Sequence, residues 1–127
     1  MKSVTVAIPS SIPGGLDSAL GAHFGHCDLY TLVEVTDGQV QKVRTLPNVP
    51  HQQGGCMAPV NHLAQNGVNI LIAGGMGMRP LMGFNQVGID VFYGADAQTV
   101  GDAVNAFLGG SLPRFTTEFT CGGGGGQ

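Results

Sequence analysis

The chain has 127 residues, a length that suits one domain with a single hydrophobic core. Charged residues make up only 10% of it, and its formal net charge is −3. The five Lys and Arg residues are scattered along the chain, which excludes the clustered basic surface of a nucleic-acid-binding protein. No apolar stretch is long enough to span a membrane, and the first residues do not follow the signal-peptide pattern. We therefore expect a cytoplasmic protein with neither nucleic acid nor membrane as a partner.

The first half of the sequence predicts three strands and one loop. The strands are residues 4–8, 29–35 and 40–46, which are short and rich in β-branched residues. Asp37-Gly38 lies between the last two strands and predicts a hairpin. Residues 10–21 are rich in Ser, Gly and Pro, so they predict a loop with a flexible point at Gly14-Gly15.

The second half of the sequence predicts alternating helices and strands. The predicted order is a helix from about Met57 to Gly67, a strand at 68–73, a helix ending at Gly88, a strand at 89–93, a helix at 99–108 and an extended segment at 111–120. Thr99 and Asp102 give the last helix a start that resembles a capping box. This order predicts an α/β domain with a mixed five-stranded sheet and flanking helices over residues 1–112, followed by a C-terminal extension, 113–127, with a glycine-rich tail.

Two imidazoles and a thiol lie within the five residues His23-Phe24-Gly25-His26-Cys27, although the chain has only four His and three Cys. Imidazole and thiolate are the side chains that bind zinc, copper and iron–sulfur centres. His23, His26 and Cys27 are therefore candidate metal ligands. The alternative is that one His caps a turn and that Cys27 fills the core.

Two further segments are candidates for the same site, because ligands collect beyond the carboxyl ends of parallel strands in α/β sheets. The first contributes the metal-ligand candidates His51, Cys56 and Met57, together with Asn48. The second is the glycine-rich connection after the strand at 68–73, and its cofactor-binding candidates are Gly74, Gly75, Met76, Gly77, Met78 and Arg79. Thiolate, thioether and imidazole donors beside backbone N–H groups and one guanidinium suit a bulky, sulfur-rich anion.

Other interpretations of these residues remain open. The segment Gly74 to Gly77 resembles a phosphate loop and allows a phosphate- or nucleotide-sensing regulatory domain, although it lacks the Lys-Ser/Thr ending of a Walker motif. Met82 is expected in the core. His62 is expected to be a surface residue or one whose hydrogen bonds are satisfied, and not a metal ligand. The eight acidic residues are dispersed and no complete nucleophile constellation is evident, so we expect no enzymatic activity.

In this order, the motifs resemble the dinitrogenase iron–molybdenum cofactor family, small cytoplasmic proteins and accessory domains that bind or carry metal–sulfur clusters. The resemblance spans Val4 to Leu112. Its carriers are His23-Phe24-Gly25, Asn48, residues 67–77, residues 88–91, Thr99-Val100 and Gly110-Ser111-Leu112. It implies a ribonuclease-H-like fold, although the catalytic carboxylates of a nuclease are missing from this sequence.

The resemblance also implies a ligand. The family member that the chain most resembles holds a molybdenum–copper sulfide cluster, a trianion whose metals are already saturated by sulfide. Such a cluster needs hydrogen-bond donors and positive charge more than thiolates. This implies leading roles for Arg79, the glycine-loop amides and the three His candidates, with Cys27 and Cys56 second. An iron–molybdenum cofactor precursor or an iron–sulfur cluster is the alternative, and other proteins of a cluster-handling or regulatory complex are the expected partners.

Overall fold

The computed structural model describes residues 3–20, 29–47, 57–74, 78–94 and 97–116, and for 57–59, 78 and 79 it describes the backbone alone. Its elements are β1 (Ser3–Ser10), β2 (Leu29–Thr36), β3 (Gln39–Pro47), α1 (Met57–Gln65), β4 (Ile70–Ala73), α2 (Met78–Val87), β5 (Asp90–Tyr93) and α3 (Val100–Leu108). The predicted α/β class with a mixed five-stranded sheet is confirmed. Within the described residues, no helix is long and apolar enough to cross a membrane.

The strands follow the spatial order β3-β2-β1-β4-β5. The pairs β1–β2 and β2–β3 are antiparallel, whereas β1–β4 and β4–β5 are parallel. The predicted hairpin joins β2 to β3, and Asp37 and Gly38 both have positive φ angles, 53° and 81°. Two positive φ angles match the twist that a two-residue hairpin needs, which is why Asp-Gly was informative in the sequence.

Helices cover both faces of the sheet. Tyr30, Leu32 and Leu71 belong to a core cluster with α1 and α2 residues, among them Leu63 and Phe84. On the opposite face, the second cluster packs α3 against β1, β2, β4 and β5; its members include Val6, Ile8, Val33, Ile72, Val100, Ala103 and Val104. Alternate residues of β1 and β4 therefore enter different cores, as expected for strands buried on both faces.

The predicted start of α3 is confirmed: Thr99 is the N-cap, and its hydroxyl accepts a hydrogen bond from Asp102 N at 3.2 Å. Gly67 and Gly88, predicted as stops, follow α1 and α2 with φ angles of 78° and 84°. The prediction for Met82 is wrong, because this side chain is 54% exposed on α2. Met82 lies on the outer side of a helix whose inner side is already filled by Leu81 and Phe84.

Residues 11–20, called the strap here, follow β1 and are held by a chain of hydrogen bonds. Gly15 N donates to Thr31 Oγ1 at 3.1 Å, and Ser10 Oγ donates to the carbonyl of Ile8 at 2.7 Å. The hydroxyls of Thr31 and Ser10 are 2.8 Å apart. Because the Ser10 proton is committed to Ile8, Thr31 must be the donor in that contact. Thr31 and Ser10 are both fully buried. This series of hydrogen bonds therefore gives partners to two hydroxyl groups whose burial without a partner would be unfavourable.

The strap also contacts β3 and α3. Gly14 has φ +84°, and a Cβ there would lie 2.6 Å from Thr45 Cγ2. At the other side, the carbonyls of Leu16 and Ser18 accept hydrogen bonds from the first N–H groups of α3, those of Gly101 (2.7 Å) and Val100 (2.9 Å). Gly14 therefore allows close packing, and both Gly14 and Gly15 adopt a left-handed backbone; the flexible point at Gly14-Gly15 stays a prediction.

The described part of the C-terminal extension forms an isolated antiparallel bridge with β5, in which Arg114 lies opposite Phe92. Tyr93 N donates to Pro113 O at 2.9 Å and Phe115 N to Val91 O at 2.8 Å. Leu112 packs against the α3 core and Phe115 is buried. The division into residues 1–112 and 113–127 stays a prediction.

His62 links α1 to the end of β3. Its Nε2 lies 3.0 Å from the carbonyl oxygen of Pro47. Since a carbonyl only accepts, the proton must be on Nε2. Side chains of a helix lean toward its N-terminus, which lets His62 reach back to the strand end. This contact agrees with the expectation that the hydrogen bonding of His62 is satisfied within the protein.

Replacing Thr31 by Val should lower the free energy of unfolding by about 1–3 kcal/mol, because Gly15 N–H and the Ser10 hydroxyl both lose a buried partner. Thr45→Val is the matched control, since Thr45 is exposed and pairs with Thr31 across the sheet; it should change stability by less than about 0.5 kcal/mol. Urea denaturation measures both. Equal effects in the two variants would contradict the proposed chain of hydroxyls.

Replacing His62 by Asn should cost about 1 kcal/mol of stability, because the shorter amide does not reach Pro47 O. His62→Gln should recover most of that loss, since the amide nitrogen of Gln lies close to the position of Nε2. The measurement is again chemical denaturation of both variants. A Gln variant no more stable than the Asn variant would show that the contact contributes nothing.

Candidate functional site

Four strands end, and one begins, at the same end of the sheet, called the rim here. The antiparallel register pairs Ser10, the last residue of β1, with Leu29, the first residue of β2, and pairs Leu29 with Pro47, the last residue of β3. Ala73 and Tyr93, the last residues of β4 and β5, are also paired. Because β4 lies parallel to β1, with Ala7 opposite Leu71, both of these strands end at the rim.

All three connections that carry predicted ligands are flanked by described residues at the rim. Residues 21–28 precede β2, residues 48–56 follow β3, and residues 75–77 follow β4. The metal candidates His23, His26, Cys27, His51 and Cys56, together with Asn48, Gly75, Met76 and Gly77, lie outside the described residues. Their roles therefore stay predictions. The structure adds that the described residues on either side of them lie at the rim.

Four of the predicted site residues have a described backbone. Gly74 directly follows β4, Met57 begins α1, and Met78 and Arg79 begin α2. Both helices lead away from the rim, because the strands that follow them, β4 and β5, begin at the opposite end of the sheet. The N-termini of α1 and α2 therefore lie at the rim, as the sequence predicted for a helix start after the glycine loop.

The first turns of α1 and α2 contain no acidic residue. The N-terminus of a helix carries partial positive charge from N–H groups without an intrahelical partner, and a carboxylate in the first turn would offset it. Pro59 and Pro80 occupy the third position of the two helices and have no N–H. The N–H groups that these helices can offer at the rim therefore belong to the residues before each proline.

The N-terminus of α3 is chemically different. Its first N–H groups donate to strap carbonyls and to Thr99, and its first turn contains Asp102. These bonds use the donors that an anion would need, and the carboxylate opposes negative charge. Of the three helix starts at the rim, α1 and α2 are thus the ones suited to an anionic ligand.

The described side chains alone do not form a metal centre. Among them, no group of three His, Cys, Asp or Glu residues lies close enough to hold a metal ion. Their ion pairs are Glu34–Arg44 at 3.5 Å and Asp90–Arg114 at 3.2 Å, on the sheet and away from the helix starts. An open groove of about 440 Å³ along α3 is lined by Ala97, Gln98, Asp102, Ala106, Ser111 and Leu112, none of which is a soft ligand.

Sequence reasoning missed two groups that support the rim. The Ser10–Thr31 hydroxyl pair is one, and the His62 contact with Pro47 is the other. The partners are far apart in sequence, so neither contact leaves a local pattern. A weak signal was available for the hydroxyl pair, because Ser10 and Thr31 each adjoin apolar strand residues, and a hydroxyl buried in a sheet needs a hydrogen-bond partner.

Comparison with known proteins agrees with this fold. A family model described as dinitrogenase iron-molybdenum cofactor matches residues 2–110. The uncharacterised protein MJ0580 of Methanocaldococcus jannaschii is 27% identical over 117 residues, covering 91% of this chain and 94% of its own length.

Solved structures agree as well. The Thermotoga protein TM1290 superimposes with a TM-score of 0.72 at 27% identity, covering 89% of this chain and 97% of the other. The apo form of the orange protein from Desulfovibrio gigas gives a TM-score of 0.77 at 22% identity, covering 88% and 92%. The family model spans nearly the whole described structure, and the chain belongs to the dinitrogenase iron–molybdenum cofactor family.

Proposed function

We propose that this protein binds and carries an anionic metal–sulfur cluster at the rim and has no catalytic turnover of its own. The observation that carries the proposal is that the three connections with predicted ligands are flanked by residues at the rim, beside two helix starts without acidic residues. Family membership supports the same class of ligand.

The chemistry of the rim favours an anion over a bare metal ion. Backbone N–H groups at two helix N-termini donate hydrogen bonds, and both helix dipoles stabilise negative charge. Arg79 belongs to the first turn of α2, and in this proposal its guanidinium supplies a charge-assisted hydrogen bond to the anion. The sulfide or oxide ligands of a cluster accept such hydrogen bonds, whereas a free cation would be repelled by the same groups.

A molybdenum–copper sulfide cluster is the favoured cargo, in line with the resemblance to the orange protein. Its metals need no further ligands, so the His and Cys candidates would surround it as hydrogen-bond donors and contacts. An iron–molybdenum cofactor precursor or an iron–sulfur cluster is the alternative, in which Cys27 or Cys56 would bind metal directly. We further propose a cytoplasmic carrier that passes its cargo to, or receives it from, other cluster-handling proteins.

Reconstitution tests this proposal. Metal-free protein is mixed with tetrathiomolybdate and copper, or separately with iron and sulfide, then desalted and examined by visible absorption and metal analysis. We expect retained colour with molybdenum and copper in a fixed ratio. Retention of iron and sulfide alone would favour the alternative cargo, and a colourless, metal-free protein after both treatments would refute cluster binding.

Arg79→Ala should make release of the reconstituted cluster about tenfold faster, equivalent to about 1.4 kcal/mol for one charge-assisted hydrogen bond. Arg114→Ala is the control with the same change of net charge, because Arg114 pairs with Asp90 on the outer side of β5. Cluster absorbance after dilution measures the release rate. Since salt screens exposed charges, the difference between wild type and Arg79→Ala should shrink as salt is raised. Equal release from both variants would remove Arg79 from the site.

A further inference from the structure

The two edges of the sheet differ in how they are covered. At β5, two backbone hydrogen bonds join the strand to the C-terminal extension, Tyr93 N to Pro113 O and Phe115 N to Val91 O. At β3, which is the opposite edge, no described segment other than β2 forms a backbone hydrogen bond with residues 39–46. Every second residue of an antiparallel edge strand points its N–H and C=O groups away from the sheet. This edge therefore offers backbone donors and acceptors that fit an extended chain.

The regular part of this edge leads to the rim. The register between β2 and β3 shifts at Gln41, which has no residue opposite it and marks a bulge. From Lys42 to Leu46 the pairing with β2 is regular, and these five residues are called the β3 edge here. The next residue, Pro47, ends the strand at the rim. A segment that pairs with the β3 edge would therefore have one end at the rim.

The side chains of the β3 edge alternate between two kinds of surface. Val43 pairs with Val33, which belongs to the α3 core, so Val43 and Thr45 lie on the α3 side of the sheet, where both are exposed. Lys42 and Arg44 lie on the other side. Paired residues of neighbouring strands point to the same face. A strand added beside β3 would therefore place every second side chain next to the two cations and the others next to Val43 and Thr45.

Charge at the β3 edge favours acidic side chains in an added strand. Lys42 lies opposite Glu34 of β2, and Arg44 Nε is 3.5 Å from Glu34 Oε2, so one carboxylate faces two cations. Neighbouring strands are about 4.8 Å apart, so an added strand would adjoin both cations and lie about 10 Å from β2, a distance at which salt screens exposed charges. Acidic side chains in that strand would therefore meet two opposite charges at short range.

The remaining described carboxylates belong to other elements: Asp17 to the strap, Asp37 to the hairpin turn, Asp90 to β5 and Asp102 to α3. None lies in β3, and both charged residues of that strand are basic. β3 is thus a basic element in a chain of net charge −3. Contacts with its cations act at short range, whereas salt screens the field of carboxylates more than about 10 Å away.

We propose that the β3 edge docks an extended segment of another protein that carries acidic side chains at every second position. A second copy of this chain fits less well. An antiparallel two-fold contact about Val43 would place Lys42 of one chain beside Arg44 of the other, and a contact about Arg44 would bring two guanidinium groups together. Lysine on an edge strand opposes such self-association, whereas it attracts an acidic strand. This inference does not depend on the cargo of the rim.

Binding of synthetic peptides to the metal-free full chain tests this docking. The probe is a peptide of about eight residues in which Val and Glu alternate, and the control peptide alternates Val and Lys. Isotope-edited NMR spectra of the protein report binding residue by residue. We expect the acidic peptide to shift the amide signals of β3 and its neighbour β2, with a dissociation constant below about 1 mM. The basic peptide should leave these signals unchanged.

Methylation of alternate peptide nitrogens separates strand pairing from simple charge attraction. In any one arrangement, a docked strand points one set of alternate N–H groups at β3 and the other set at solvent. Two acidic peptides, each methylated on one of these sets, should therefore differ. One should bind like the parent peptide and the other about tenfold more weakly, because it loses hydrogen bonds to β3. Equal binding of the two would show that charge alone holds the peptide and would overturn the proposal.

Variants of Lys42 test the charge requirement. Lys42→Glu should weaken binding of the acidic peptide by about tenfold, and the neutral Lys42→Gln by about threefold. Lys42→Gln keeps the test valid if a carboxylate opposite Glu34 perturbs the hairpin. Arg114→Glu is the matched control, because it makes the same change of net charge at the opposite edge of the sheet; it should change binding by less than about twofold.

Four results would overturn the proposal. The acidic peptide does not bind at about 1 mM, or it shifts signals of other elements and not those of β3. Arg114→Glu weakens binding as much as Lys42→Glu does. The β3 signals shift when the protein alone is concentrated, which would identify a second copy of this chain as the occupant of the β3 edge.

Discussion

The parallel pairing of β1 with β4 is the constraint on which the rest of this structure depends. Val6 opposite Ile70 and Ala7 opposite Leu71 fix the direction of β4, and β5 follows it in parallel. Each parallel strand must then be reached by a helix that runs back from the rim. For this reason α1 and α2 begin at the end of the sheet where β1, β3, β4 and β5 end. The two helix N-termini therefore lie at the same end as the described residues that flank the candidate ligands, and no local sequence motif requires this arrangement.

The rim is supported by polar contacts that a purely hydrophobic core would not supply. The hydroxyl chain from Gly15 N–H through Thr31 and Ser10 to Ile8 O fixes the strap, and His62 fixes the end of β3. Burying a hydroxyl without a hydrogen-bond partner costs free energy. Arrangements of the strap that bury the same apolar area but break these bonds are therefore less stable. For the proposed binding of a rigid inorganic anion, such fixed supports are favourable, because a loosely held site loses both geometry and affinity.

Local chemistry was sufficient to predict part of this fold. The Asp37-Gly38 hairpin and the Thr99 cap of α3 involve residues that are neighbours in sequence, and both were predictable. The strap was not, because its order depends on Thr31, which belongs to a different strand. The prediction that Met82 lies in the core was wrong for a related reason. The sequence shows that Met82 is apolar, but it does not show which side of α2 faces the core. The predicted ligands lie largely outside the described residues, so for them the sequence still carries the argument.

Electrostatics distinguishes this rim from an ordinary helix-capped sheet. A chain with net charge −3 can hold an anion only where local dipoles and donors outweigh the overall field, and short-range donors do so because distant exposed charges are screened by salt. At α3 the strap carbonyls and Asp102 cancel that advantage. At α1 and α2 nothing acidic opposes it in the first turn. The difference between these helix starts is thus what a ligand of negative charge would recognise, and it follows from the placement of one carboxylate and two carbonyls.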